Sequence, residues 1–120
     1  MSGSREGGSV HIPPVLDGSN YGYWKARMTA FLKTLDHKAW KSVINGWEAP
    51  KDGQNVKAES EWTDAEDTAA LGNSCALNAI FNVVDQNVFR MINTCEVAKD
   101  AWNILATAYE GTNKVKEQKL

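Results

Sequence analysis

The side chains in this 120-residue chain that can serve as bases, nucleophiles or metal ligands are few and scattered. His11 and His37 are its two histidines. One falls in a proline-containing segment and the other at a helix start, and neither neighbours a serine or cysteine in the pattern of an activated nucleophile. Solvated or capping roles follow for both. Cys75 and Cys95 form no C-x-x-C pair and fit no zinc spacing, so they read as buried structural thiols. Glu59, Glu61, Asp64, Glu66 and Asp67 form an acidic cluster without the D-x-D-x-D-G spacing of a calcium loop. Most of it surrounds a helix N-terminus, where the macrodipole favours negative charge, so its reading is structural. Neither a P-loop nor G-x-G-x-x-G occurs. The expectation is a protein that is not an enzyme and uses no cofactor and no metal.

Two groups remain as candidate contact residues. Lys114, Lys116 and Lys119 make a small basic end that either touches RNA phosphates or faces solvent on a helix; three lysines do not decide between these. Trp47 and Trp62 flank a polar loop. They either pack beneath it, as most tryptophans do, or stand as anchors for a partner, since indoles are enriched at interaction hot spots.

The elements that must position these residues are helical. Residues 1–9 form a Gly/Ser-rich tail, residues 10–112 the domain, and residues 113–120 a following helix or linker. Val10 to Leu16 carries Pro13 and Pro14 and should lie extended across the domain. Ser19 or Asn20 caps a first helix over roughly 20–35, with Trp24, Met28, Phe31, Leu32 and Leu35 on one stripe. Asp36 caps a second, with Trp40, Val43, Ile44 and Trp47 on one side and Gly46 ending it through a left-handed cap. Residues 48–61 are the longest loop. Thr63 and Glu66 make a capping box opening a third helix to about Val84, whose buried side is Ala69, Ala76, Leu77, Ile80, Val83 and Val84, with Gly72 allowing close approach. Asp85 caps a fourth carrying Val88, Phe89 and Ile92. Thr94 caps a fifth through Ala98, Ala101, Trp102, Leu105, Ala108 and Tyr109, ended by Gly111. Five helices, an extended arm and no strand pair predict an all-α bundle.

A net charge of −2 gives no whole-chain case for nucleic-acid binding. Two cysteines without a disulfide framework, a polar N-terminus and no run near the ~20 apolar residues of a membrane span predict a cytoplasmic protein with no membrane partner. The chain carries five tryptophans instead, of which three or more can serve the core. Each buried indole removes ~150–250 Å² from water, so a few of them on helical faces can anchor a small domain.

The aromatic positions also carry a resemblance. Pro14-Val15-Leu16-Asp17-Gly18-Ser19-Asn20-Tyr21, then Trp24, Met28, Phe31 and Leu32, lead into Trp40 near Val43 and Gly46, and into Trp62 ahead of an acidic helix. Ala98-Lys99-Asp100-Ala101-Trp102 with Leu105 then runs to Tyr109-Glu110-Gly111-Thr112. In order and spacing this set, over about residues 12–120, resembles the N-terminal Gag region of Ty1/copia-type LTR retrotransposons. The resemblance implies a capsid N-terminal lobe whose signature core is Tyr21, Trp24, Phe31, Leu32, Trp40, Ala101, Trp102, Leu105 and Tyr109. It implies a chain that partners itself, as a weak homo-oligomer or shell in virus-like particles. It implies that RNA is bound mainly through a zinc knuckle lying beyond these residues. The alternative function is a domesticated adaptor that takes a partner peptide in a helical groove, between the extended arm and the first helices.

Overall fold

The computed structural model describes residues 12–110. The expected tail, His11, the stop at Gly111, the helix over 113–120 and the three lysines Lys114, Lys116 and Lys119 lie outside the described residues. Five α-helices carry the rest: α1 (Tyr21–Leu35), α2 (His37–Asn45), α3 (Asp64–Asn82), α4 (Gln86–Ile92) and α5 (Ala98–Leu105). A 3-10 turn, Glu59–Glu61, precedes α3, and a π-helical turn, Ala106–Glu110, follows α5. The domain is all-α, as the helical periodicity predicts.

Short-range polar bonds set most of the helix starts. Asp36 accepts from the Lys38 N–H to open α2, and Asp85 accepts from the Val88 N–H at 2.8 Å to open α4. Thr63 and Glu66 form the full capping box on α3, with bonds of 3.1 and 2.9 Å. The start of α1 differs from expectation. Asn20 is its N-cap residue but bonds backwards: its amide donates to the Val15 carbonyl and accepts from the Asp17 N–H. Asp17 holds the turn by accepting from both the N–H and the hydroxyl of Ser19. Asparagine and aspartate here fix the corner between arm and helix rather than the helix end.

The arm is extended, as its prolines require. Leu16, fully buried, forms a parallel bridge with Val84; its N–H donates to the Val83 carbonyl at 2.7 Å and its carbonyl accepts from the Asp85 N–H at 2.9 Å. This explains why α3 stops at Asn82 and not near Val84. Val83 and Val84 keep the apolar pattern of a helix, but their backbone is committed to the arm. The Val83 carbonyl takes a second donor, the Trp24 indole N–H at 3.1 Å.

The core runs through all five helices. Trp24, Met28 and Leu32 of α1 meet Val43 of α2, Ala76 and Ile80 of α3, Val88 and Ile92 of α4, and Ala101 and Leu105 of α5. Aromatic rings thread it in series. Tyr109 lies against Tyr21 (5.9 Å between centroids), Tyr21 against Trp24 (6.1 Å), Trp24 against Trp102 (5.7 Å) and Trp102 edge-on to Trp40 (5.9 Å). Phe31, Trp40 and Tyr109 are half-buried at its margin.

Several expectations are corrected. Leu35, the last residue of α1, is 45% exposed at the corner into α2, and Ile44 is 50% exposed. The buried face of α2 is centred on Ala39, Ser42 and Val43. Small residues win there because α3 comes very close: a Cβ on Gly72 would stand 3.0 Å from the Lys38 carbonyl oxygen. Ala69 is exposed rather than buried. Gly46 does end α2 with positive φ, but its ψ of 176° is not that of a left-handed helical cap. Thr94 does not cap α5; that helix begins at Ala98 after an extended Val97. Its first N–H is instead met by Asn73 of α3, 4% exposed, whose side-chain oxygen accepts from Ala98 N–H at 2.8 Å while its amide donates to the Glu96 carbonyl. The polar loop holds a small ribbon, β1 (Lys51–Asp52) antiparallel to β2 (Asn55–Val56), where no strand pair was expected. Gly53, at φ 69°, makes its turn, a conformation glycine adopts without a Cβ penalty.

Two substitutions check this packing. Trp24→Ala is expected to cost about 3–5 kcal/mol in urea unfolding, and a loss below about 1 kcal/mol would contradict its central position. Asn73→Ala leaves the buried Ala98 N–H and the part-buried Glu96 carbonyl without their partner and should cost about 1–3 kcal/mol. Amide exchange at Ala98 should then quicken more than exchange in α1.

Candidate functional site

Among the described residues the groups able to do chemistry are not brought together. His37 is exposed, and Cys75 and Cys95 are free and half-buried rather than fully enclosed. Burial, then Asp36, pushes the Cys75 thiol up; burial, then Asp100, does the same at Cys95. Both therefore hold less of the nucleophilic thiolate than an open cysteine. Among the described residues no three His, Cys, Asp or Glu side chains are grouped to hold a metal. The acidic cluster divides into Glu59 and Glu61 on the exposed 3-10 turn and Asp64, Glu66 and Asp67 in the first turn of α3. Tyr21, buried and then opposed by Glu110, has its phenol pushed up to about 12, which keeps it neutral as a core residue. No described helix is long and apolar enough to cross a membrane.

The signature residues of the resemblance sit in one place. Tyr21, Trp24, Leu32, Ala101, Trp102 and Leu105 are buried, with Phe31, Trp40 and Tyr109 packed on their edge. They hold the helices together. The last turn adds a clamp: Tyr109 donates to the Met91 sulfur at 3.5 Å and Lys25 pairs with Glu110 at 2.7 Å.

Trp47 and Trp62 form a separate pair at the other end, edge-to-face at 6.3 Å and both half-buried. Their meeting is built locally. Gly46, in a backbone region open to glycine alone, turns the chain out of α2 and places Trp47 beside the helix end. The ribbon and the 3-10 turn bring Trp62 back opposite it. The Trp62 indole N–H donates to the Lys57 carbonyl at 3.4 Å, and the Lys57 ammonium pairs with Glu66 at 3.0 Å. The loop is thus tied to the same carboxylate that caps α3.

Beside this pair lies a groove of about 360 Å³ between α2 and α3. Lys38, Lys41, Ser42 and Asn45 line it from α2, Asp64, Ala65, Thr68 and Ala69 from α3, and Gly46 and Trp47 from the chain leaving α2. A second hollow of about 330 Å³ continues past Gly46 and Trp47 to Val97, Lys99 and Asp100, with Glu48 on its rim. The sequence suggested a groove between the arm and the first helices; this one lies between α2 and α3, while the arm bonds to Val83 and Asp85. Sequence reasoning found Trp47 but missed the groove and missed Asn73. Asn73 had a legible signal: it falls in register with Ala76 and Ile80 on the buried stripe of α3, and a polar residue at a core position demands a bonded partner.

Glu66 gives the pH behaviour of this end. The Thr63 N–H, then the Lys57 ammonium, hold its carboxyl below the usual carboxylate range. A depressed folded value adds stability that is complete above the unfolded value and is lost as pH falls through the folded one. NMR titration should show Glu66 ionising at lower pH in the folded chain than in the unfolded one, and Lys57→Ala should raise its midpoint. An ordinary glutamate midpoint in the intact protein would contradict the brace. No family model, no curated protein and no solved structure matches this chain.

Proposed function

We propose that this chain is a structural lobe of the capsid (Gag) type found in copia-class retrotransposons, that it contributes to self-assembly of virus-like particles, and that it is not an enzyme. One observation supports this reading above others. The aromatic residues that carry the resemblance, Tyr21, Trp24, Trp40, Trp102 and Tyr109, are spent on one continuous ring series that joins the helices. Such a chain works through its outer faces. Exposed apolar side chains there include Tyr23, Leu71 and Met91. Contacts of that size are individually weak, and repetition across a shell multiplies them. RNA is taken mainly by regions beyond this lobe, with Lys114, Lys116 and Lys119 as candidate phosphate contacts within it. The reading places the protein in the cytoplasm.

The second reading, a domesticated adaptor for a partner peptide, is favoured by one feature, the open groove between α2 and α3. Light scattering and sedimentation velocity over a wide concentration range separate the two. Growth of dimers or larger species with concentration is the expected result. A strictly monomeric chain at every concentration overturns the shell reading and leaves the adaptor.

A further inference from the structure

The rim charges of the α2–α3 groove identify what it can hold. Lys38 and Lys41 stand one turn apart on α2, both exposed, both lining the groove. Neither takes part in an ion pair among the described residues, whereas Lys25, Lys51 and Lys57 each pair with a glutamate. Across from them the α3 wall offers the methyl groups of Ala65 and Ala69, and the Trp47 indole lines the groove as well. The combination is an apolar slot with unneutralised positive charge along one edge. Asp64 also lines the slot, from α3, and repels a carboxylate there, so the charge has a direction that favours carboxylates on the α2 side. The neighbouring hollow carries two carboxylates, Glu48 and Asp100, against the single Lys99, and so disfavours an acidic ligand.

Size narrows the occupant further. About 360 Å³ is near the lower end of ligand pockets, at roughly 300–1,000 Å³. It accepts a side chain or two from an extended segment, whose alternate residues point the same way. A stable dimer of this chain needs about 800 Å² from each partner, far more than the slot supplies. We propose that the α2–α3 groove binds an extended acidic peptide, an aliphatic side chain resting on Trp47 between Ala65 and Ala69 and a flanking carboxylate reaching Lys38 and Lys41. Shell assembly is not invoked, so failure here leaves the capsid reading standing.

The test uses the whole chain and a fluorescein-labelled extended peptide of leucines flanked by glutamates, with two control peptides in which lysines replace the glutamates or serines replace the leucines. Amide and indole NMR shifts should move at Lys38, Lys41, Trp47, Ala65 and Ala69, and both control peptides should bind more weakly. The double variant Lys38→Glu with Lys41→Glu should lose about tenfold in affinity by fluorescence anisotropy, the product of two exposed ion pairs worth a few-fold each. Ala69→Arg, at an exposed position, should block the slot while leaving the melting temperature near that of the parent. The proposal is overturned if the glutamate peptide moves no resonance, if the lysine peptide binds as well, or if the shifts map outside the groove. It is equally overturned if groove resonances shift with protein concentration alone, which makes a second copy the occupant.

Discussion

One carbonyl oxygen organises this domain. At Val83 the α3 helix ends, and the oxygen released there accepts both the Leu16 N–H of the arm and the Trp24 indole N–H of α1. Three segments far apart in the chain meet at that atom. Burial of the Trp24 ring dominates the energy, at about 25 cal/mol per Å² over ~150–250 Å². A hydrogen bond nets only about 0.5–1.5 kcal/mol. Yet the bond decides geometry where the area does not, because an unmet indole N–H in a dry core is costly and only one orientation meets it. From that fixed ring the series runs outward to Tyr21 and Tyr109 on one side and Trp102 and Trp40 on the other.

A second polar pin acts midway along α3. Asn73 bonds the start of α5 and the Glu96 carbonyl just before it. With Gly72 letting the Lys38 backbone close in, α3 is held to α2 by near-contact of main chains and to α5 by a side-chain amide. The same tight approach shapes the groove. Where α2 and α3 touch at Gly72 there is no room; toward the start of α3, Ala65 and Ala69 are too small to fill the space that Trp47 also lines. The groove is therefore a consequence of packing small residues beside a large one, and its charged rim comes from lysines the core does not use.

The sequence was most legible where structure is local. The capping box of Thr63 and Glu66, the Asp36 and Asp85 caps and the stripe of Trp24, Met28 and Leu32 all stand as read, because each depends on residues within one or two turns. It was least legible where a pattern had two physical meanings. Val83 and Val84 continue a helical stripe and also suit an extended pairing; the arm chose the latter. Ile44 looked inward beside Trp40, but the short distance to α3 rotated the buried face toward Ala39 and Ser42.

By itself, then, the order of amino acids determined the number of helices, the caps at Asp36, Thr63 and Asp85, and the identity of the large rings that fill the interior. Those follow from hydrogen bonds and periodicities reaching three or four residues along the chain. Tertiary structure alone decided that Asn73 would serve a helix twenty-five residues away, that the Val83 carbonyl would take two donors, and that α2 and α3 would leave an open slot beside Trp47. Each of these needs the three-dimensional meeting of remote segments, and the distance between their surfaces is written in no single stretch of sequence.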